Sequence, residues 1–208
     1  MFVPDHAAKA LYKEANVWKE FVNISTPIIT QTTQLNTGWN WFSYYVNTDL
    51  ETLETALGEN GVQITGKLGF KFIEGGNWYG TLTSISPDQM YLINVNGNIN
   101  LALTGETFEK VEVTLNPKWN WIGYPSNVSI SVNEALDGLT PQINDQITGK
   151  EGFATYFGNT TGWVGTLQTL EPGRGYKYHS NNTDISASCF RCYEPAQSHA
   201  SPHPEPAS

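Results

Sequence analysis

Six tryptophans occupy matched positions in two stretches of this 208-residue chain, and their type and spacing make them the first candidates for ligand chemistry. Flat indole rings stack on the C–H faces of sugar rings, and nearby asparagine side chains can hydrogen-bond the sugar hydroxyls. The alternative is that the same indoles pack into a hydrophobic core. The six residues are Trp39, Trp41, Trp78, Trp119, Trp121 and Trp163.

Their local sequence divides these six tryptophans into two groups. Four of them form two Trp-Asn-Trp pairs inside predicted strands, and because both copies must fold, we expect those four to be core residues. The other two, Trp78 and Trp163, follow predicted turns, where exposed functional residues concentrate. The candidate ligand-binding residues are therefore Trp78, Tyr79, Asn77, Tyr156, Trp163 and Asn159.

Cysteines and histidines near the C-terminus have the residue types of a metal site but not its spacing. Cys189, Cys192, His199 and His203 read C-x2-C-x6-H-x3-H, and the middle spacer is well short of the ~12 residues of a zinc finger. We predict no metal site here. A disulfide and a pair of free thiols remain the alternatives for the two cysteines.

The sequence carries no arrangement typical of a catalytic centre. It has no Gly-x-Ser-x-Gly motif and no serine, histidine and aspartate set at a recognisable spacing. Carboxylates are not retained between the matched stretches, since Asp88 corresponds to Gly173. We predict no catalytic residue, no cofactor and no enzymatic activity, with a glycoside hydrolase as the least favoured alternative.

Two lysines recur in the motif Ile-Thr-Gly-Lys, at Lys67 and Lys150. They could donate hydrogen bonds to a ligand. A lysine at a strand edge also discourages edge-to-edge aggregation, and this is the role we expect.

An internal repeat organises the chain. Four blocks recur in one order, with offsets that grow from 80 residues (Trp39 to Trp119) to 85 (Trp78 to Trp163). Such ordered recurrence indicates a duplicated unit of roughly 80 residues. The blocks are "QLNTGWNWFSYYVN" with "TLNPKWNWIGYPSN", "ITGKLGF" with "ITGKEGF", "WYGTL" with "WVGTL", and "ISPDQMYLI" with "LEPGRGYKY".

Each unit predicts short strands and one short helix, so the fold class is mainly β with short helices (all-β or α+β) in two pseudo-symmetric repeats. An alternating strand containing Leu35 opens the first unit. Leucines at i, i+3 and i+7 predict a helix over 50–57, and its counterpart over 131–139 has Ser131 as a candidate N-cap. A strand pair over 98–105 and 110–116 is expected to join the units.

The charge and hydropathy of the chain argue against nucleic acid and membranes as partners. The net charge is −9 and only 15% of residues are charged, so an acidic chain of this kind is a poor ligand for nucleic acid or an anionic membrane. No apolar run approaches the ~20 residues that span a bilayer, and the first residues lack the pattern expected of a signal peptide. We expect no membrane insertion, and the oligomeric state stays open.

The quoted blocks resemble a tandem module of secreted and surface proteins of Bacteroidales gut bacteria, over about residues 30–180. "FVPDHAAKALYKEANVWKEFVNIS" resembles the closing segment that follows BspA-like leucine-rich repeats. The resemblance implies a secreted or cell-surface location within a longer precursor. Where that module continues with an alternating strand, this chain has "ISASCFRCYEP", which leaves the pairing of its last strand open.

These observations predict four regions and one broad function. The regions are 1–27, a helical connector that ends a preceding domain; 28–109, the first repeat; 110–188, the second repeat; and 189–208, a disordered tail. The function expected is that of a non-catalytic surface module for adhesion or glycan recognition, with a glycan or a host surface protein as partner. The alternative is a purely structural or assembly module whose aromatic residues are buried.

Overall fold

A computed structural model describes residues 28–184 and the backbone of residues 186–190. The predicted helical connector over 1–27 and most of the predicted tail lie outside these residues. The fold is mainly β with two short α-helices, which confirms the predicted class. None of the described helices is both long and apolar enough to span a bilayer. The helices are α1 (Leu50–Leu57) and α2 (Val132–Ala135), and the strands are β1 (Ile28–Leu35), β2 (Gly38–Phe42), β3 (Gly61–Thr65), β4 (Phe70–Glu74), β5 (Asn77–Gly80), β6 (Tyr91–Val95), β7 (Ile99–Glu106), β8 (Val111–Leu115), β9 (Lys118–Ile122), β10 (Ile130–Ser131), β11 (Gln146–Thr148), β12 (Phe153–Tyr156), β13 (Trp163–Gly165), β14 (Thr169–Leu170), β15 (Tyr176–Ser180) and β16 (Ser186–Phe190).

The duplication in sequence is a duplication in structure. The first repeat holds a five-stranded antiparallel sheet of order β2-β6-β3-β4-β5, and the second holds one of order β9-β15-β11-β12-β13. Strands at matching places in the two orders are the strands at matching places in the sequence. The registers also agree, because Asn40 lies opposite Ile93 and Asn120 lies opposite Tyr178. The two repeats therefore share one fold.

Each repeat closes with a separate pair of strands. β1 pairs with β7 along its whole length, from Ile28 opposite Glu106 to Leu35 opposite Ile99, and β8 pairs in the same way with β16. The prediction that 98–105 would pair with 110–116 is wrong, because the first strand of each repeat pairs with its own last strand. β16 also includes residues 189 and 190, which the sequence assigns to the tail.

Hydrogen bonds from one asparagine side chain stabilise the turn between the first two strands of each repeat. The amide of Asn40 donates to the carbonyl oxygens of Asn36 (2.7 Å) and Gly38 (3.0 Å), and its oxygen accepts from the Asn36 N–H at 3.1 Å. Asn120 repeats all three bonds in the second copy. The backbone turns here through a positive φ at Gly38 (91°), so the single alternating strand predicted through Leu35 is in fact two strands.

Both predicted helices exist, but only the first has the predicted length. Helix α1 spans the predicted residues and is N-capped by Asp49, whose side chain accepts from the Thr52 N–H; its three leucines are buried. Helix α2 is capped by Ser131 as predicted, since the hydroxyl accepts from the Glu134 N–H at 3.2 Å. It ends after one turn, before Gly138, a residue type that weakens helices.

Each repeat has its own hydrophobic core. One cluster of buried residues runs from Leu35 to Leu103, and the other from Val113 to Tyr178. In both, the cluster joins the sheet face that carries Ile93 or Tyr178 to side chains of the repeat's helix and of its first strand, β1 or β8. Burial of these clusters is the main favourable term for each repeat.

The repeats contact each other through exchanged, equivalent bonds. Lys67 donates to the carbonyl oxygen of Trp119 (3.5 Å), and its counterpart Lys150 donates to that of Trp39 at 2.9 Å. The two recurring lysines are therefore tethers between the repeats, rather than the edge protection expected of them. Exchange of equivalent partners in this way is the signature of a two-fold relation.

The backbone repeats this exchange closer to the pseudo-two-fold axis. The Ser43 N–H donates to the Gly173 carbonyl at 3.2 Å, and the equivalent Gly123 N–H donates to the Asp88 carbonyl at 2.9 Å. Equivalent positions also differ in size where they meet: a β-carbon added at Gly175 would lie 2.5 Å from the β-carbon of Met90, its counterpart. One methionine thus fills space that two could not share.

Candidate ligand-binding face

The outward side of the first sheet is lined with aromatic and amide side chains in two rows. Opposed residues of neighbouring antiparallel strands lie on the same side of a sheet, so the register places the row members side by side. The long row is Trp39, Asn94, Gln63, Phe72 and Tyr79. The short row is Trp41, Leu92, Thr65 and Phe70.

The second sheet repeats this arrangement. Tryptophans again occupy the β9 edge, while glutamine and threonine occupy the centre of the sheet. The long row is Trp119, His179, Gln146, Thr155 and Val164, and the short row is Trp121, Lys177, Thr148 and Phe153. We call the eighteen residues of the four rows the aromatic face.

One lysine connects the two halves of the aromatic face. The Nζ of Lys177 lies 4.7 Å from the ring centroid of Trp41 and 5.3 Å from that of Trp121. These distances are those of cation–π contacts. Next to this cluster, the His179 ring meets the Trp119 indole edge-on at 5.0 Å. Indoles from both repeats therefore surround one ammonium group.

The exposure of the Trp-Asn-Trp pairs is the reverse of the prediction. Trp39 is 45% exposed and Trp119 is 47% exposed, and Trp41 and Trp121 are half-buried. The buried residue of each pair is the asparagine between the tryptophans. The prediction failed because the turn at Asn36 separates β1 from β2, and the inward residues of β2 are Asn40 and Phe42.

Three predicted site residues of the second repeat cluster together, but mostly in the core. Trp163 and Tyr156 are 7% and 8% exposed, and their ring centroids are 5.3 Å apart. The Tyr156 hydroxyl donates to the side chain of Asn159, which is itself exposed. The expected exposure of Trp163 and Tyr156 is wrong, because alternation along β12 and β13 turns both residues inward.

The predicted site residues of the first repeat are more accessible. Tyr79 is 49% exposed and belongs to the aromatic face, with its ring centroid 6.2 Å from that of Phe72. Asn77 is exposed at the β4–β5 turn. Trp78 points to the opposite side of the sheet and is half-buried against the first core. Of the six predicted site residues, only Tyr79 lies on the aromatic face.

A cleft of about 350 Å³ opens beside Trp41, between the repeats. The first repeat contributes Trp41 to the lining of this cleft, and the second repeat contributes the other lining residues. Charged and polar side chains there include Lys150, Glu151, Gln168, Glu171 and Arg174. Tyr176 also lines the cleft, and a cavity with two aromatic residues and several polar groups has the composition of a small-ligand site.

Buried tyrosines hold the turns next to the aromatic face. The Tyr91 hydroxyl accepts from the Ser86 N–H, and the equivalent Tyr176 hydroxyl accepts from the Glu171 N–H, both at 2.7 Å. Burial raises the pKa of Tyr91 to about 12 and raises that of Tyr176 further above its ordinary value. Both phenols are therefore neutral at physiological pH, and their role is structural.

Neither a cluster of metal-ligating side chains nor a similarity to known proteins identifies a further site in the described part of the chain. Among residues 28–184, no group of three or more histidine, cysteine or acidic side chains is placed to hold a metal ion. Cys192, His199 and His203 lie outside the described residues, as does the side chain of Cys189. Comparison with known proteins finds no matching family, curated relative or solved structure.

A sequence signal for the aromatic face does exist. The even-numbered residues Phe42, Tyr44 and Val46 form an apolar period-2 series, which competes with the odd-numbered series of Trp39 and Trp41. All three even-numbered residues are buried. Two apolar series of opposite parity in one stretch compete for the core side, and here the even-numbered series occupies it.

Proposed function

We propose that this chain is a non-catalytic carbohydrate-recognition module of a cell-surface or secreted protein, and that it binds glycans on its aromatic face. The observation that carries the proposal is the partial exposure of Trp39 and Trp119 on sheet faces whose centres carry Gln63 and Gln146. Indoles offer apolar surfaces to sugar rings, and amides offer donors and acceptors to their hydroxyls. The location rests on the resemblance to Bacteroidales surface proteins.

Repetition of the outward residues supports ligand binding over a purely structural role. Packing constrains the inward residues of both copies, but it places no such demand on residues that face solvent. Five outward positions are nevertheless identical in the two sheets. These are the pairs Trp39 and Trp119, Trp41 and Trp121, Gln63 and Gln146, Thr65 and Thr148, and Phe70 and Phe153.

The aromatic face is also large and apolar for a free surface. Phe70 and Phe72 are 42% and 37% exposed, and their rings stack at 6.3 Å. Contiguous exposed aromatic surface of this kind marks interaction sites on soluble proteins. The buried-aromatic alternative would require these rings to be covered, and in the described part of the chain they are not.

Tryptophan fluorescence tests the proposal directly. We expect oligosaccharides from a panel of plant and host glycans to quench or blue-shift the emission of the wild-type chain. The double variant Trp39→Ala/Trp119→Ala should lose at least about tenfold in affinity, which is ~1.4 kcal/mol. Circular dichroism should show the same fold, because neither indole belongs to a core cluster.

Ile143→Ala is the matched control, since Ile143 is 62% exposed but lies outside the four rows. It should bind as the wild type does. If no glycan in the panel changes the emission, or if Ile143→Ala and the double variant weaken binding equally, the aromatic face is not a carbohydrate site. Release of products from any polysaccharide would instead support an enzyme.

A further inference from the structure

The positive charges of the described residues are concentrated around the Trp-Asn-Trp strands. Two of the seven lysine and arginine side chains form ion pairs elsewhere, Lys71 with Glu54 and Lys110 with Glu112. The other five all lie on or beside β2 and β9. They are Lys67, Lys118, Lys150, Arg174 and Lys177.

Each of these five cations is placed next to a tryptophan strand. Lys177 lies between the indoles of both repeats, and Lys67 and Lys150 reach the carbonyl oxygens of Trp119 and Trp39. A lysine ammonium has three N–H donors, so a bond to one carbonyl leaves others for an anion. Arg174 lies opposite Phe42 at the edge of β2 and lines the cleft beside Trp41.

Negative charge is excluded from the same surface. None of the eighteen residues of the aromatic face is an aspartate or a glutamate, although the whole chain has 20 acidic residues and a net charge of −9. The nearest carboxylates that line the cleft are Glu151 and Glu171, outside the four rows. A face that carries one lysine and no acidic residue, with four further cations beside it, is complementary to an anionic ligand.

We infer that the ligand of the aromatic face is an anionic polysaccharide, in which sugar rings stack on the indoles and carboxylate or sulfate groups meet the lysines and the arginine. This inference rests on the proposed function and adds the ligand class to it. Uronate and sulfate share the relevant chemistry, which is a fixed negative charge on a sugar ring. Lys177 is central, because it is the cation that contacts an indole of each repeat, Trp41 and Trp121.

Matched polysaccharides test the ligand class. Isothermal titration at low salt would compare polygalacturonate with its fully methyl-esterified form, and chondroitin sulfate with desulfated, carboxyl-esterified chondroitin. We expect at least about tenfold tighter binding of one charged polymer than of its neutral form, and a fall in affinity with salt. Chondroitin sulfate carries carboxylates as well as sulfates, so desulfated chondroitin with free carboxylates is titrated too: it should bind as the sulfated polymer does if uronate is the source, and more weakly if sulfate is. The reference for the next comparison is the charged polymer that binds more tightly. Polyglutamate, an anion without sugar rings, should bind at least about tenfold more weakly than that polymer.

Charge variants locate the contact. Lys177→Gln should reduce the preference for the charged polymer at least about fivefold, and Lys177→Arg should restore most of it. Lys110→Gln is the matched control, because it removes the same charge from a residue that is 60% exposed and lies outside the face. Binding that is unchanged in Lys177→Gln, or equally reduced in Lys110→Gln, overturns the inference.

The two proposals fail differently. Equal binding of charged and neutral polymers overturns the anionic ligand and leaves carbohydrate recognition in place. Equal binding of polyglutamate and the sugar polymers overturns the anionic-polysaccharide inference in favour of unspecific charge attraction. Absence of binding to every polymer and to the glycan panel overturns both proposals.

Discussion

At the scale of single residues, the most informative position is the asparagine of each Trp-Asn-Trp motif. Asn40 is 1% exposed and Asn120 is 3% exposed, and each makes three bonds within its own turn plus one longer bond to the neighbouring strand. A buried polar side chain is stable only when such bonds are made. The asparagine therefore fixes the turn that directs both tryptophans outward.

Replacing one of these asparagines should weaken the fold measurably. Asn120→Ala leaves the Asn116 N–H and the Lys118 carbonyl without their partner, so we expect the free energy of unfolding to fall by about 2–3 kcal/mol. Urea denaturation checks this. Asn100→Ala, at an exposed position on β7, should change stability by less than about 0.5 kcal/mol. Equal losses in the two variants would contradict the role assigned to Asn120.

At the scale of elements, the strands β6 and β15 occupy the second place in their sheets and carry three buried tyrosines. Tyr91 and Tyr176 begin these strands and bond back to the preceding turns. Tyr178 is buried beside Trp163, and its hydroxyl donates to Asp145 at 2.7 Å. Burial raises the pKa of all three phenols above the ordinary value of 10.0.

These raised pKa values predict a loss of stability in alkali. The unfolded chain releases phenol protons from about pH 10, whereas the folded chain retains them. Stability from this source is complete below pH 10 and is lost as the pH rises through about 12, the pKa of Tyr91. Thermal midpoints between pH 8 and 12, with phenolate absorbance, measure the loss.

Phenylalanine variants separate the buried phenols from general alkaline effects. Tyr176→Phe should reduce the steepness of the alkaline loss. Tyr79→Phe, which removes a phenol that is 49% exposed, should leave the curve as it is in the wild type. A curve that changes equally in both variants would show that burial of Tyr176 is not the cause.

Sequence patterns predict the elements here better than they predict the faces. Leucine spacing locates α1, and the matched blocks predict two pseudo-symmetric repeats, because the same periodicity specifies the same elements twice. The sequence does not predict which face of β2 is buried, because residue polarity suggests an exposed Asn40 and a buried Trp39, and the structure has the opposite. Strand pairing over long separations, such as β1 with β7, has no local signature and is missed as well.

At the scale of the whole molecule, two cores are joined by one pseudo-symmetric contact. The backbone bonds of Ser43 and Gly123 cross between the repeats, and Gly123 is required there because a β-carbon would overlap the carbonyl oxygen of Pro87. Lys67 and Lys150 add a bond on either side. The contact brings Trp41 and Trp121 to the same lysine, so it assembles the aromatic face.

A methyl group at this contact should uncouple the repeats. Gly123→Ala should lower the free energy of unfolding by about 1–3 kcal/mol through overpacking. Each repeat has its own core, so calorimetry should then resolve two transitions where the wild type shows one. Gly97→Ala is the control, because its β-carbon would meet only the side chain of Asn60. One transition of unchanged midpoint in Gly123→Ala would contradict this.

The difference in size between Met90 and its counterpart Gly175 favours contact between a first repeat and a second repeat over contact between two identical repeats. Two first repeats would bring methionine against methionine, and two second repeats would leave a gap where the methionine belongs. A half exposed during synthesis or unfolding is therefore a poor partner for the identical half of another chain. Tandem copies of similar sequence ordinarily risk swapping segments between molecules, and this single mismatch in side-chain volume favours the partner on the same polypeptide.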